Sequence, residues 1–221
     1  MSPRQSVAKM EDVLDVYARS YDAAHPVVCL DELSKELHTT PHGTLPMTQG
    51  EAAREDDEYA RQGVCNLFVA VEPLTGKRTV RVTERRTATD CAEELRILVE
   101  ESYPDVEKIV LVTDNLNTHT PACLYTRFAP EQARRIAARL EWHDTPEHGS
   151  WLNIAECELA VLAHQCLKQR IASQAELERE AAAWQQQRNI ANVTVDWHFT
   201  SADARIKLKR LYPALKEQLS T

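Results

Sequence analysis

The chain has 221 residues, of which 43% are hydrophobic and 27% charged, and its formal net charge is −8. This composition is typical of a globular protein with one main core, and it excludes disordered and collagen-like chains. The negative charge argues against a protein whose whole surface binds nucleic acid, although it allows a local basic patch. No apolar run is long enough for a membrane helix and the start lacks a signal-peptide layout, so we expect a cytoplasmic protein with no membrane partner.

The first half of the chain predicts a helix followed by three strands. Residues 9–20 carry apolar side chains at helical spacing, and residues 27–32 form an apolar run typical of a buried strand. Residues 38–62 are interpreted as a long loop. Residues 63–84 contain two strand-like runs separated by Pro-Leu-Thr-Gly, which indicates a hairpin and completes an antiparallel meander.

The second half predicts alternating helices and strands. A helix over 88–103, with Thr89 or Asp90 as its N-cap, precedes a strand at 107–113, and this order is typical of an α/β layer. The remaining predicted elements are helices at 121–127 and 130–139, a fifth strand at 138–145, a long helix at 149–169 capped by Ser150, and helices at 174–188 and 201–219.

Three acidic residues lie where strands end or a helix begins. Asp31 and Asp114 each follow an apolar strand, and Glu156 lies in the first turns of the helix after the fifth strand. Taken singly, each acid also fits a helix cap or a turn. Taken together, three converging carboxylates would repel one another, and a hard divalent cation would relieve that repulsion. Mg²⁺ or Mn²⁺ suits oxygen ligands, and two such ions support in-line phosphoryl displacement.

The stretches VVCLDELSKEL, VLVTDNLNTH and HDTPEHGSWLNIAECEL resemble the motifs of DDE transposases of bacterial insertion sequences in the mariner superfamily, specifically the insertion-sequence-630 group. The resemblance extends from about residue 10 to 215. It implies a ribonuclease H-like (retroviral-integrase-like) α/β fold, with a mixed five-stranded sheet flanked by helices and extra C-terminal helices. It also implies metal-dependent DNA cleavage and strand transfer, with Asp31, Asp114 and Glu156 as catalytic residues that bind two Mg²⁺ or Mn²⁺ ions.

Four neighbouring polar residues are candidates for supporting this site. Successive residues of a strand point to opposite faces, so Glu32 cannot bind the same metal as Asp31 from a regular strand and is interpreted as a supporting group. Asn115, His119 and Asn153 lie within the same motifs and are candidates for orienting a ligand, the attacking water or a phosphate. A packing or capping role fits each of these three residues equally well.

The candidate DNA-binding residues lie in two places. Residues 75–89 form a basic segment that we expect to contact phosphates, with an ordinary solvated β-ribbon as the alternative. Before the long helix, His148 and Trp151 are candidates for contacting DNA bases or backbone, and packing is the alternative. The basic residues of the segment are Lys77, Arg78, Arg81, Arg85 and Arg86.

The resemblance also implies a domain organisation and partners. We expect a linker helix without a helix-turn-helix over 1–24, the catalytic domain over 25–172, and a helical extension over 173–221 that either covers this domain or forms a dimer surface. The implied partners are the element's ends, target DNA, a second copy of the chain, and a separately encoded helix-turn-helix domain or full-length transposase. The implied location is the bacterial cytoplasm, at the nucleoid.

Two other functions are compatible with these features. One is a truncated, non-catalytic transposase that binds or competes with the full-length enzyme, although such a remnant would not need three intact acids. The other is a ribonuclease H-like nuclease that cleaves RNA·DNA hybrids, which would share the fold and the metals but not the W-L-N-x-x-E motif.

Overall fold

The computed structural model describes residues 2–41, 44–45, 47–48, 54–55, 58–114 and 119–212. Its strands are β1 Val27–Thr39, β2 Thr44–Leu45, β3 Arg54–Glu55, β4 Ala60–Glu72, β5 Lys77–Thr83, β6 Ile109–Thr113 and β7 Leu140–Asp144. Its α-helices are α1 Pro3–Tyr17, α2 Ala88–Ile97, α3 Ala122–Arg127, α4 Pro130–Ala138, α5 Ile154–Gln165, α6 Gln174–Ile190 and α7 Ser201–Lys207. Across these described ranges, every helix is too short or too polar to cross a lipid bilayer.

Five strands form one mixed sheet in the order β5-β4-β1-β6-β7. β1, β4 and β5 pair antiparallel, whereas β1 with β6 and β6 with β7 pair parallel. This arrangement confirms the predicted α/β class, the five-stranded sheet and the three-strand meander. β2 and β3 form a separate two-stranded sheet within the segment that was predicted to be a loop.

Helices cover both faces of the sheet. Strand alternation sends Val28 and Leu30 of β1 into a core with α2, α3 and α4. It sends Cys29 to the other face, where α1 and the start of α5 pack. Farther along this second face, β4 packs against α5 and α6. The sheet is therefore buried on both sides, as its long apolar strands require.

Two predicted helix caps are wrong by a few residues. α2 is capped by Thr87, whose hydroxyl accepts from the Asp90 backbone N–H while the Asp90 carboxylate accepts from that of Thr87. This reciprocal capping box satisfies two backbone donors at the helix start. α5 is capped by Asn153 and not by Ser150, because residues 150–152 form a 3₁₀ turn before the α-helix begins.

Helix α6 covers the outer strand of the sheet. The side chain of Asn189 accepts from the Arg78 N–H at 3.0 Å and donates to its carbonyl at 2.9 Å, and Gln185 accepts from the Val80 N–H at 2.6 Å. Edge strands expose unpaired backbone groups that would otherwise pair with another chain. In this protein the side chains of one helix satisfy those groups on β5.

Candidate active site

Asp31 and Asp114 lie side by side at the point where β6 ends. β6 stops directly before Asp114, but β1 continues past Asp31 to Thr39 by pairing with β4, so the prediction that Asp31 follows the end of its strand is wrong. β1 and β6 run parallel, and Leu30 pairs with Thr113, so the residue after each of these two is one of the two aspartates. Asp31 is only 7% exposed. Because Leu30 faces α2, alternation turns Asp31 toward the face covered by α5. The structure therefore brings together two of the three predicted catalytic acids.

The pKa of Asp31 is raised to about 7. Burial is the main cause, and the negative charges of Asp114 and Glu32 act in the same direction. The backbone N–H of Glu32 opposes the shift by donating a 2.8 Å hydrogen bond to Asp31 Oδ1. An ionised Asp31 is therefore poorly compensated by the protein itself, which is the situation that a bound cation corrects.

Helix α5, which carries Glu156 in its first turn, is fastened to β1 next to Asp31. Asn153 is fully buried; its Oδ1 accepts from the Ala155 N–H at 3.1 Å, and its Nδ2 donates to the Leu30 carbonyl at 2.9 Å. One amide side chain thus caps the helix and also joins it to the strand of Asp31. This is a structural role for Asn153, and it fixes the position of the first turn of α5, which carries Glu156.

His119 lies between two carboxylates at the sheet edge. Its Nδ1 hydrogen-bonds to Asp114, and its Nε2 lies 2.8 Å from Glu32 Oε2. Burial alone would lower the pKa of His119, but hydrogen bonding to Asp114 and Glu32 together with their charges raises it to about 10. The ring is therefore an imidazolium at neutral pH. Asn115, the other candidate in this motif, lies outside the described residues.

The two aspartates provide part of the ligand set that a hard divalent cation needs. Asp31 and Asp114 offer carboxylate oxygens, which suit Mg²⁺ or Mn²⁺, and they lie in an area of excess negative charge. In the parts of the chain that the structure describes, no three His, Cys, Asp or Glu side chains are gathered so that they could hold a metal ion. The structure thus places two carboxylates side by side, and it does not gather Glu156 with them into a three-ligand cluster.

The basic segment is divided between buried and exposed side chains. Arg78 is 1% exposed, its Nε lies 3.0 Å from Glu158 Oε2, and its Nη2 donates to the Val193 carbonyl. The expectation that Arg78 contacts phosphates is therefore wrong, because a buried, paired guanidinium does not reach DNA. This burial was not visible in the sequence, since a strand residue and its helical partner lie far apart along the chain.

The other basic residues of this segment differ in how far their side chains are bound by groups within the protein. Arg81 is paired with the buried Glu94. Lys77 is exposed, donates to the Ser102 carbonyl at 2.7 Å and lies over the ring of Tyr103. Two remain well exposed at the end of β5 nearest the aspartates, Arg85 and Arg86.

The loop before α5 exposes two further candidates. His148 is exposed and has a positive φ of 62°, and the ring of Trp151 is 44% exposed. Both residues line an open cavity of about 300 Å³ against the start of α1. They are accessible to a ligand, but they lie on this cavity and contact none of the site carboxylates through a hydrogen bond or ion pair among the described residues.

Asp144 is an acid at the same sheet edge that the sequence analysis missed. It is the last residue of β7 and pairs in register with Thr113, whose hydroxyl donates to Asp144 Oδ1 at 3.4 Å. Lys9 lies 3.2 Å from Asp144 Oδ2. The signal that could have found it is the one that found Asp31 and Asp114, an acid that ends a strand.

Comparisons with known proteins agree with this geometry. Residues 26–178 match the model of a family described as DDE superfamily endonuclease. The fold is similar to a pre-cleavage Mos1 transpososome (TM-score 0.57) and to the Mos1 strand transfer complex (TM-score 0.59), each at 15% sequence identity and covering 98% of this chain. A comparison with curated proteins gives no match.

The chain spans just under two thirds of the Mos1 chains, 65% and 64% of their lengths. It also resembles the Mos1 mariner paired-end complex with Mn at a TM-score of 0.54, with 15% identity over 87% of this chain and 59% of that one. These similarities confirm the ribonuclease H-like fold. The match to the family model covers well over half of the sequence, and the chain belongs to the DDE superfamily of endonucleases.

Proposed function

We propose that this chain is the catalytic part of a transposase of the insertion-sequence-630 group, which cleaves DNA and joins the freed end to a target. In this proposal the linker is residues 1–24, the catalytic domain is 25–172 and the helical extension is 173–221. The protein would act at the bacterial nucleoid in the cytoplasm. The Mos1 relatives, described as a transpososome and a strand transfer complex, support this choice of reaction.

One observation carries the proposal. Asp114 directly follows the end of β6, Asp31 lies beside that end within β1, and the helix of Glu156 is joined to the strand of Asp31 through Asn153. A purely structural sheet edge would not place like charges together at the cost of raising the pKa of Asp31. The arrangement is therefore that of residues prepared to bind a cation.

Each acid has a role in the proposed reaction. Asp31 and Asp114 would both bind the metal, and Glu156 would complete the ligand set from α5. Two Mg²⁺ or Mn²⁺ ions, when bound, would supply an activated oxygen nucleophile and stabilise the leaving oxygen. The residues themselves would hold the reacting phosphate at the sheet edge, with α5 fixing the direction of Glu156.

DNA would approach this edge from the side of β5. Arg85 and Arg86 are exposed there, and His148 and Trp151 present a second accessible surface before α5. Because Mos1 forms paired-end complexes, we propose that two copies of this chain bind two element ends together. Recognition of the end sequence would come from a helix-turn-helix domain encoded separately or by a full-length transposase.

Cleavage of DNA by the purified chain tests the proposal. The substrate is a duplex carrying the element's terminal repeats, with Mg²⁺ or Mn²⁺, and the variants are Asp114→Asn and, as a matched control, Asp105→Asn. Asp105 is an exposed acid in a turn. We expect nicking by the wild type and the control and its loss in Asp114→Asn. Equal nicking by all three proteins would refute the assignment.

The same assay separates the two alternative functions. Preferential cleavage of an RNA·DNA hybrid over the terminal-repeat duplex would favour a ribonuclease H-like nuclease. Absence of cleavage, combined with inhibition of a full-length transposase by both wild type and Asp114→Asn, would favour a non-catalytic regulatory partner.

A further inference from the structure

Glu32 and His119 form a buried pair directly behind Asp114. The side chain of His119 is 1% exposed, that of Glu32 is 3% exposed, and their Nε2 and Oε2 atoms lie 2.8 Å apart. The other ring nitrogen of His119 hydrogen-bonds to Asp114 Oδ1. The three side chains therefore form one continuous line of contacts from the interior to the site.

The position of Glu32 explains why it can take part without binding the metal. Asp31 and Glu32 are successive residues of β1, so their side chains leave opposite faces of the sheet. Glu32 therefore leaves β1 on the face where Leu30 packs with α2 and α3, and its carboxylate meets His119. A carboxylate buried there is costly unless it is paired, and the buried ring of His119, 2.8 Å away, is its partner.

We propose that Glu32 and His119 are positioning residues that fix the carboxylate of Asp114 for metal binding, an inference that rests on the proposed function. His119 contacts Oδ1 of Asp114 and so restrains the direction of this carboxylate. Glu32 fixes the orientation of the His119 ring from the other side. Groups that hold a metal-binding carboxylate in this way typically change metal affinity or activity by about 10–100-fold when removed.

The line of contacts continues to the surface at Arg86. Its Nη1 lies 3.6 Å from Glu32 Oε1, and its side chain is 54% exposed. Glu32 therefore has the buried ring of His119 at one oxygen and the exposed guanidinium of Arg86 near the other. Since exposed ion pairs contribute little, His119 and not Arg86 is the partner that matters for the orientation of Asp114.

The experiment is a titration of the full 221-residue chain with Mn²⁺, in which the electron paramagnetic resonance signal reports unbound ion. Variants are Glu32→Ala, His119→Ala, the double variant and Glu32→Gln. The matched control is Glu36→Ala with His38→Ala, a Glu-His pair on the same strand with Nε2 and Oε2 3.2 Å apart and partly exposed. Circular dichroism and thermal melting establish that each variant is folded.

We expect each single variant to raise the Kd for Mn²⁺ by about 10–100-fold. The double variant should be no weaker than the weaker single variant, because the two residues act through one contact. Glu32→Gln keeps an acceptor oxygen facing His119 and should lie between Glu32→Ala and the wild type. The Glu36 and His38 control should bind Mn²⁺ like the wild type.

Two results would overturn the inference. One is a Kd for His119→Ala or Glu32→Ala equal to that of the control pair, and the other is independent, multiplying losses in the double variant. Asp114→Asn in the same titration separates this failure from that of the proposed function. If Asp114→Asn binds Mn²⁺ as tightly as the wild type, the metal site itself is wrong; if only Asp114→Asn loses binding, the positioning pair alone is wrong.

Discussion

The carboxylate of Glu158 on helix α5 and the carboxylates beside the end of β6 have opposite surroundings: guanidiniums outnumber the first, whereas the second outnumber their cationic partners. Glu158 is 2% exposed and is held by Arg78 Nε at 3.0 Å and by Arg188 Nη2 at 2.7 Å. Glu156 lies in the first turn of α5 and is half-buried. Asp31 and Asp114 meet where β6 ends, beside the strand to which Asn153 joins this helix. There, the only buried cation in contact with the carboxylates among the described residues is His119.

The difference shows how the same residue type serves two purposes. Around Glu158, two guanidiniums and one carboxylate fasten α5 and α6 to β5, so this carboxylate is compensated within the protein. At the sheet edge, the carboxylates outnumber their cationic partners, which is a charge distribution that a bound cation would neutralise. Surplus negative charge at a sheet edge, rather than burial of charge as such, distinguishes the candidate site from a structural network.

The largest expected effect comes from breaking the ion pairs of Glu158. Glu158→Gln removes the charge that compensates Arg78, which is fully buried with its Nε 3.0 Å from Glu158 Oε2. Removing one partner of a buried ion pair typically costs about 3–5 kcal/mol. Urea unfolding should therefore show this loss for Glu158→Gln, while Glu156→Gln stays within about 0.5 kcal/mol of the wild type. Equal stability of the two variants would erase the distinction between the two glutamates.

The second prediction concerns the unbalanced edge in the metal-free protein. The pKa of Asp31 rises from 3.8 to about 7 on folding. A carboxyl group with a raised folded pKa favours folding while it is protonated, so this stability is present below about pH 4 and is lost as the pH rises to about 7. Asp31→Asn has no carboxyl group at this position and does not show this loss. The free energy of unfolding of the variant minus that of the wild type should therefore rise by about 2–4 kcal/mol between pH 4 and pH 8.

Unfolding in urea at several pH values, with a chelator present, checks this second prediction. The quantity to compare is the free energy of unfolding of Asp31→Asn minus that of the wild type, because other titrating groups cancel in the difference. Asp105→Asn is the control and should give a flat difference. A flat difference for Asp31→Asn as well would mean that the edge carries no electrostatic strain.

Local patterns were sufficient to predict the order of the elements. The meander, the helix after it and the parallel strand were all found because each has its own hydrophobic period. The length of β1 was underestimated, because residues 33–39 are largely polar and are strand only through pairing with β4. The cover of β5 by Asn189 and Gln185 was also missed, since such contacts depend on residues more than a hundred positions away.

The candidate site was also predictable only where a local signal in the sequence was enough. Asp31 and Asp114 were found because an acid after an apolar run is a local signal, although only Asp114 follows a strand end and β1 continues past Asp31 by pairing with β4. The contact of His119 with Glu32 was not predictable, because it joins a strand to a residue beyond a different strand. The burial of Arg78 was missed for the same reason, and charge counting alone placed it with the exposed arginines.

The third prediction tests the hydrogen bond through which Asn153 joins helix α5 to strand β1. Asn153→Ala removes the cap of α5 and leaves the Leu30 carbonyl without its donor. Loss of a cap and of a buried hydrogen bond should together cost about 1–3 kcal/mol, measured by urea unfolding. Cleavage should fall as well, because Glu156 is no longer held relative to Asp31. Ser150→Ala, a change at the position that the sequence predicted as the cap, is the control and should leave both stability and cleavage unchanged.

The smallest effect on the fold is expected for the exposed arginines, which complete the contrast with Arg78. Replacing Arg85 and Arg86 by Gln should leave the free energy of unfolding within about 0.5 kcal/mol of the wild type, because both side chains are exposed. If both contact phosphates, DNA affinity should fall for every sequence, and the slope of log K against log salt should decrease by about 2. Fluorescence anisotropy of a labelled duplex at several salt concentrations measures both quantities.

The matched control is the exposed pair Arg134 and Arg135 on α4, changed to Gln. A slope that falls equally in the control would show that the effect reports net charge and not a DNA path beside the aspartates.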